Sequence, residues 1–96
     1  MNEALPITYR LNPEHLFSDL KDEAAVLSLT TGKYYGLNPV GVAIWHALEQ
    51  NATLAELEGA VRREYAVDAE TCRREVAAFI ESLRAEQLIE VMGAAD

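Results

Sequence analysis

Residues 26–45, VLSLTTGKYYGLNPVGVAIW, contain the pattern that decides the fold. Ala24 to Leu29 is an apolar run with a β-branched residue, Thr31-Gly32 is a turn signal, and Lys33 to Leu37 is a short extended segment. Two strands of this kind joined by a short turn form a β-hairpin. The second strand leads directly into a helix-start signal, so the chain changes from strand to helix within a few residues.

Three N-cap signals predict three helices after this hairpin. Asn38 precedes a proline and caps a first helix that runs from Pro39 to Glu49. Residues 53–56, TLAE, form a capping box that opens a second helix. Asp68 caps the third and longest helix, which ends near Glu86. Gly41 lowers the helix propensity of the first helix, so we expect another backbone to approach closely there.

The remaining segments complete an α+β fold. Ile7 to Leu11 and His15 to Leu20 are predicted to be extended before the hairpin, and Leu88 to Val91 after the third helix. We therefore predict a winged helix-turn-helix-like domain, with a three-stranded antiparallel sheet followed by three helices. The 96 residues are enough for one domain, with an ordered core of about residues 5–91.

The charge balance disfavours several classes of partner. Sixteen acidic side chains against eight basic ones give a net charge of −8, and the basic residues are scattered along the chain. Nucleic acids and anionic membranes are therefore not expected partners. No apolar run approaches the roughly 20 residues that span a bilayer, and no secretion signal is recognised at the N-terminus. A single cysteine fits a reducing compartment, so we expect a cytoplasmic protein.

Catalytic or metal-binding chemistry is not indicated by the residues present. His15, His46 and Cys72 lie far apart in sequence, whereas a structural zinc site needs four ligands. Cys72 and Trp45 fall on apolar helix stripes and are predicted to be core residues. Because no phosphate loop or nucleophile motif is found either, we expect neither an enzyme nor a cofactor.

A binding role remains, and the strand from Lys33 to Leu37 is its best candidate. A short edge strand without proline suits β-augmentation, in which a guest peptide adds a strand to the sheet. Tyr34 and Tyr35 point to opposite faces. The sequence does not say which ring faces the guest, and one core ring with one surface ring would also fit. The third helix would form the other wall of the groove.

The chain resembles the PqqD family of peptide-recognition domains in ribosomal peptide natural product biosynthesis. The resemblance rests on TGKYYGLNPVGVAIW, on the helix in TLAELEGAVRREYAVD and on ESLRAEQLIE, and it covers roughly Leu5 to Val91. It implies a non-catalytic domain that binds the leader region of a precursor peptide. The leader would dock antiparallel on the strand from Lys33 to Leu37, against the third helix.

A free-standing domain of this size is most similar to the leader-binding protein of lasso-peptide clusters. There the leader would pass to a separate leader peptidase or other maturation enzyme. Three alternatives stay open: a chaperone for a radical-SAM maturase of the pyrroloquinoline quinone type, a helix-turn-helix DNA-binding regulator, and a structural subunit of a larger enzyme.

The predicted site combines the strand with one flank of the third helix. Arg73, Arg84 and Lys33 are expected to pair with leader carboxylates, and the other residues to form pockets and backbone contacts. The predicted peptide-binding residues are Leu29, Lys33, Tyr34, Tyr35, Gly36, Leu37, Arg73, Val76, Ala77, Ile80, Leu83 and Arg84.

Overall fold

The computed structural model describes residues 7–21 and 23–92, and this part contains six strands and three helices. In chain order the elements are β1 (Thr8–Leu11), β2 (His15–Leu20), β3 (Glu23–Ser28), β4 (Tyr34–Leu37), α1 (Pro39–Leu48), β5 (Ala52–Thr53), α2 (Leu54–Glu64), α3 (Ala69–Ala85) and β6 (Ile89–Met92). The predicted α+β class, the hairpin and the three helices are confirmed. The predicted core boundary at Leu5 lies outside the described residues.

The hairpin belongs to an antiparallel sheet with the strand order β2-β3-β4. Val26 lies opposite Tyr35, and Ala24 lies opposite Leu37. Both strands of the hairpin are one residue shorter at the turn than the sequence predicts. Leu29 falls in the turn after β3, and Lys33 precedes β4.

A second antiparallel sheet, with the order β5-β1-β6, joins the two ends of the described chain. Arg10 faces Glu90 across β1 and β6, and its Nε donates to the Glu90 carboxylate at 2.8 Å. This second sheet is absent from the sequence prediction. Its strand β5 has only two residues, which is too short to show an alternating pattern.

The predicted helix caps are formed. The Asn38 side chain accepts a hydrogen bond of 2.8 Å from the N–H of the third residue of α1. Thr53 and Glu56 make the reciprocal bonds of a capping box, at 3.1 and 2.9 Å. Asp68 accepts from the third residue of α3 at 3.1 Å. These bonds satisfy N–H groups that have no partner within the helix, and so they fix where each helix begins.

The end of α3 is a Schellman turn that directs the chain into β6. Gln87 has the left-handed φ of 64°, and the Leu88 N–H donates to the Leu83 carbonyl at 2.9 Å. Both leucines are buried, as the hydrophobic contact of this motif requires. The turn therefore anchors the C-terminal end of α3 against the core.

The core lies between the inner face of the β2-β3-β4 sheet and the three helices. Trp45 is fully buried and stacks on Phe17, with the ring centroids 5.9 Å apart. Cys72 is buried as well, so both core predictions are confirmed. In the described residues no helix is both long and apolar enough to cross a bilayer. The buried side chains of α3 are Cys72, Val76, Ile80 and Leu83.

Candidate functional site

The outer edge of β4 is unpaired within the part of the chain that the structure describes. Strand β4 is the last strand of its sheet and pairs only with β3. An edge of this kind presents a row of backbone donors and acceptors that can pair with another chain. The edge on which the sequence prediction depends is therefore present.

The hydrogen-bond pattern of the hairpin identifies which backbone groups point outward. The Ser28 N–H donates to the Lys33 carbonyl at 2.9 Å, so these opposed residues occupy a hydrogen-bonded position of the ladder, although the Lys33 N–H donates to the Thr31 hydroxyl. Such pairs alternate along an antiparallel ladder. Tyr35 and Leu37 therefore bond to β3, while the N–H and C=O groups of Tyr34 and Gly36 point toward the open edge.

The two tyrosines lie on opposite faces of the sheet, and only Tyr35 faces the helices. Its hydroxyl donates to the Glu86 carboxylate at 2.6 Å, which joins β4 to the end of α3. Leu37 lies on the same face and is buried. Tyr34 is 74% exposed on the other face, in a row with Leu27 and Leu16. The question that the sequence left open is thus answered: Tyr35 belongs to the groove side.

Two cavities lie side by side between β4 and α3. The first has a volume of about 290 Å³ and extends toward α1 and α2, while the second has about 360 Å³ and lies near the end of α3. Gly36, Leu37 and Phe79 line both cavities, so the two are adjacent, and together they are called the groove below. The first is lined by Gly36, Leu37, Asn38, Val40, Gly41, Ile44, Val61, Tyr65, Val67, Cys72, Glu75, Val76 and Phe79, and the second by Tyr35, Gly36, Leu37, Phe79, Ser82, Leu83, Ala85, Glu86 and Leu88.

Phe79 divides the groove, and Gly41 makes room for its ring. A Cβ added to Gly41 would lie 3.3 Å from the Phe79 ring and 3.3 Å from the Asn38 side-chain oxygen. The glycine thus admits a side chain of α3, not the backbone that the sequence led us to expect. A side chain at residue 41 would therefore require the Phe79 ring and the Asn38 side chain to move by a few tenths of an ångström.

The structure brings five of the predicted site residues together at the groove. Tyr35, Gly36 and Leu37 line it from β4, and Val76 and Leu83 line it from α3. These five are retained in the proposed site.

The other seven predicted residues do not line the groove. Ile80 is buried in the core, with 2% of its surface exposed. Leu29 and Lys33 lie at the hairpin turn, and Tyr34 lies on the opposite face. On α3 the helical spacing places Arg73, Ala77 and Arg84 on the flank away from the cavities, and Arg84 lies 3.8 Å from Glu81.

The groove is lined by the other flank of α3. The residues of this flank are absent from the predicted site. Glu75, Phe79, Ser82 and Glu86 recur at helical spacing along this flank. One signal was available in the sequence. Phe79 and Ile80 are adjacent and about 100° apart around the helix, so both cannot lie at the centre of the buried stripe. The larger side chain at the stripe's edge marks the flank that faces β4.

The ionisable groups of the groove do not form a reactive centre. Burial raises the pKa of the Cys72 thiol, and the nearby Glu58 charge raises it further. A thiol with a raised pKa is a poor nucleophile because it is seldom a thiolate. Among the described residues no group of three or more His, Cys, Asp or Glu side chains is placed to hold a metal ion. Most of the residues that line the groove are apolar, which suits the burial of apolar side chains.

Comparison with known proteins identifies the family of this fold and groove. The model of the family described as coenzyme PQQ synthesis protein D (PqqD) matches residues 23–89, which include both walls of the groove. The chain belongs to the PqqD family. No curated protein matches the sequence of this PqqD family member significantly.

Two solved structures share the fold of this PqqD family member. The structure of TbiB1 in complex with the TbiA(beta) leader peptide is 34% identical, with a TM-score of 0.78 over 91% of this chain and 99% of that chain. Lasso peptide synthetase B1 complexed with the leader peptide is 24% identical, with a TM-score of 0.74 over 85% of this chain and 96% of that chain. At that identity the second match supports the fold alone.

Proposed function

We propose that this protein is a non-catalytic leader-peptide-binding protein of lasso-peptide biosynthesis. The observation that carries the proposal is the open edge of β4, which faces α3 across an apolar groove. The relative that is 34% identical was solved with a leader peptide, and this supports the same role here. Because precursor peptides are made on ribosomes, the binding would take place in the cytoplasm.

The leader would add a strand to the sheet. Its backbone would bond to the outward N–H and C=O groups of Tyr34 and Gly36 in an antiparallel ladder. Alternate side chains would enter the two cavities on either side of Phe79, where apolar burial stabilises the complex. Backbone pairing ignores sequence, so the shape of the cavities would determine which leaders bind.

The direction of the bound leader follows from the direction of β4. Tyr35, early in β4, contacts Glu86 at the end of α3, while Leu37 and Asn38 line the cavity nearer the start of α3. Strand β4 and helix α3 therefore run in opposite directions. A leader antiparallel to β4 would run parallel to α3, with its N-terminal part over the first cavity and its C-terminal part over the second.

Cleavage of the leader would belong to a partner enzyme, because the groove has no activated nucleophile. We propose that the bound leader is presented to a leader peptidase or another maturation enzyme. No observation favours the radical-SAM maturase alternative over the lasso pathway. A DNA-binding role is disfavoured because α3, which would be the recognition helix, carries acidic residues among its arginines, on a chain of net charge −8.

The test removes one backbone donor from the open edge. Gly36→Pro deletes an N–H that points away from β3, and an edge strand tolerates proline on its free side. Gly36→Ala is the matched control, since a Cβ at residue 36 meets nothing within 4 Å. Peptides are first selected from a displayed library of random 16-residue sequences with the unmodified protein, and affinities are then measured by fluorescence anisotropy.

We expect Gly36→Pro to weaken binding tenfold or more, because a buried carbonyl of the guest strand would lose its donor. Gly36→Ala should keep the affinity within about twofold. Circular dichroism checks that both variants keep the fold. Equal binding by the proline and alanine variants, or no selected peptide at all, would refute strand addition at β4.

A further inference from the structure

We infer that the leader bound by this protein is basic, with one Lys or Arg near each end of the segment that occupies the groove. The inference rests on the proposed function and names the class of peptide that the groove selects. It follows from the charges that face the groove, from their spacing along α3, and from the direction in which the guest strand would run.

The charged side chains that line the two cavities are both acidic. Glu75 lines the first cavity and Glu86 lines the second. The arginines of α3 lie away from the groove, and Lys33 lies at the hairpin turn, so no basic side chain of the described residues lines either cavity. The groove is therefore mostly apolar, with one carboxylate among the residues that line each of its two cavities.

Neither carboxylate has a cationic partner in the described residues. Glu86 accepts a hydrogen bond from the neutral Tyr35 hydroxyl, and Glu75 makes no ion pair there. A strand laid over the groove would remove water from both groups. Removing water from a carboxylate is unfavourable unless a positive charge or hydrogen bonds compensate. A guest with cations at these two places supplies that compensation, whereas an acidic guest would add repulsion.

The spacing of the two acids predicts the spacing of the basic residues. Glu75 lies within α3 and Glu86, eleven positions later, is the C-cap residue of the same helix, so the two are about 16 Å apart along the helix axis at 1.5 Å per residue. An extended peptide advances about 3.3 Å per residue, and only every second side chain points to the same face, so two side chains that both face α3 would be about four or six residues apart in the leader. Because the leader would run parallel to α3, its more N-terminal basic residue would pair with Glu75 and its more C-terminal one with Glu86.

The test repeats the selection from the random 16-residue library with charge variants. Glu75→Lys reverses the charge at the first cavity, and its side chain is exposed, so the fold should be kept. Glu86→Gln removes the second charge but leaves an oxygen for the Tyr35 hydroxyl. Glu81→Lys is the matched control, because Glu81 is exposed on the same helix, does not line the groove and changes the net charge by the same amount.

The unmodified protein should enrich peptides with two Lys or Arg residues about four or six positions apart, an even separation that places both on the face toward α3, and apolar residues between them. With Glu75→Lys, the selected peptides should prefer Asp or Glu at the more N-terminal of the two positions and keep Lys or Arg at the other. With Glu86→Gln, the preference for Lys or Arg should disappear at the more C-terminal position and remain at the first. For one selected peptide, Glu75→Lys should weaken binding about fivefold at low salt, in line with an exposed ion pair. Glu81→Lys should change the affinity for the same peptide less than twofold.

The outcomes separate this inference from the proposed function. Peptides that need the Gly36 N–H but show no basic preference would overturn the inference and leave strand addition standing. An effect of Glu81→Lys as large as that of Glu75→Lys would also overturn it, because net charge would then explain the selection. If no selected peptide distinguishes Gly36→Pro from Gly36→Ala, the proposed function fails and the inference fails with it.

Discussion

Phe79 and Ile80 are adjacent in α3, but one lies at the groove and the other in the core. Phe79 is half-buried and lines both cavities, whereas Ile80 is enclosed by the core. A successive pair on a helix points about 100° apart, which is enough to separate a groove residue from a core residue. Single substitutions at the two positions should therefore affect different properties of the molecule.

We expect Phe79→Ala to weaken binding of a selected peptide at least tenfold, because the ring between the two cavities is lost, while the fold persists. Ile80→Ala should lower the free energy of unfolding by about 2–5 kcal/mol, the range for truncating a large buried aliphatic side chain, and leave the affinity of the folded fraction unchanged. Urea unfolding followed by Trp45 fluorescence and anisotropy with the peptide measure the two effects. A larger binding loss for Ile80→Ala than for Phe79→Ala would contradict this assignment.

At the residue scale the sequence predicts burial better than it predicts which flank of a helix faces a partner. The apolar stripe of α3 is evident from the spacing of Cys72, Val76, Ile80 and Leu83. The stripe has two flanks, and the only signal within the helix for the one that turns toward β4 is the large Phe79 side chain at one edge of the stripe. The arginines at positions 73 and 84 favour the other flank in a sequence-based prediction, because they could pair with carboxylates of a peptide. The flank with Glu75 and Glu86 faces the groove because α3 packs that way on the other elements.

The elements of this fold were predictable because their ends are determined locally. Each helix begins at a side chain that accepts a hydrogen bond from an N–H three residues later, and such signals are readable in the sequence. The pairing of β1 with β6 joins residues about 80 positions apart. No local signal encodes a contact of that separation, and for this reason the second sheet was missed.

The cap of α3 predicts how stability depends on pH. Hydrogen bonds from Thr71 lower the pKa of Asp68 below the ordinary value of 3.8. The larger effect comes from the Thr71 side chain, and the smaller one from its backbone N–H. A lowered pKa in the folded state means that the carboxylate stabilises the fold above about pH 4, and that this contribution is lost as the pH falls through the lowered pKa. Asp68→Asn keeps a capping oxygen but does not titrate.

We therefore expect the unmodified protein to be more stable than Asp68→Asn at pH 7, and the difference to shrink as the pH falls below about 4. Urea midpoints measured by Trp45 fluorescence at several pH values give the difference directly. Thr53→Ser is the control, because it alters the N-cap of α2, whose side chain does not titrate. Its stability relative to the unmodified protein should not depend on pH. A difference that stays constant over this range would contradict the assignment of the titrating group.

The whole molecule links the stability of the fold to the occupancy of the groove. Helix α3 supplies core residues on one face and groove residues on the adjacent face, so a guest strand in the groove would contact the same helix that closes the core. Cys72 reports on this linkage because it is 2% exposed and also lines the first cavity. Its Sγ lies 3.6 Å from the Glu58 carbonyl, to which the thiol donates, and burial raises its pKa.

We expect the Cys72 thiol to react with a disulfide reagent much more slowly than a free cysteine, because reaction requires the helices to open. A bound peptide should divide the reaction rate by a factor of one plus the ratio of the free peptide concentration to Kd. At a concentration of ten times Kd, the reaction should therefore be about tenfold slower. The absorbance of the released thiolate measures the rate with and without a selected peptide. Gly36→Pro, which should not bind the peptide, is the control and should show no protection. Rapid reaction in the absence of peptide would contradict the closed core, and an unchanged rate at saturating peptide would mean that the guest does not contact α3.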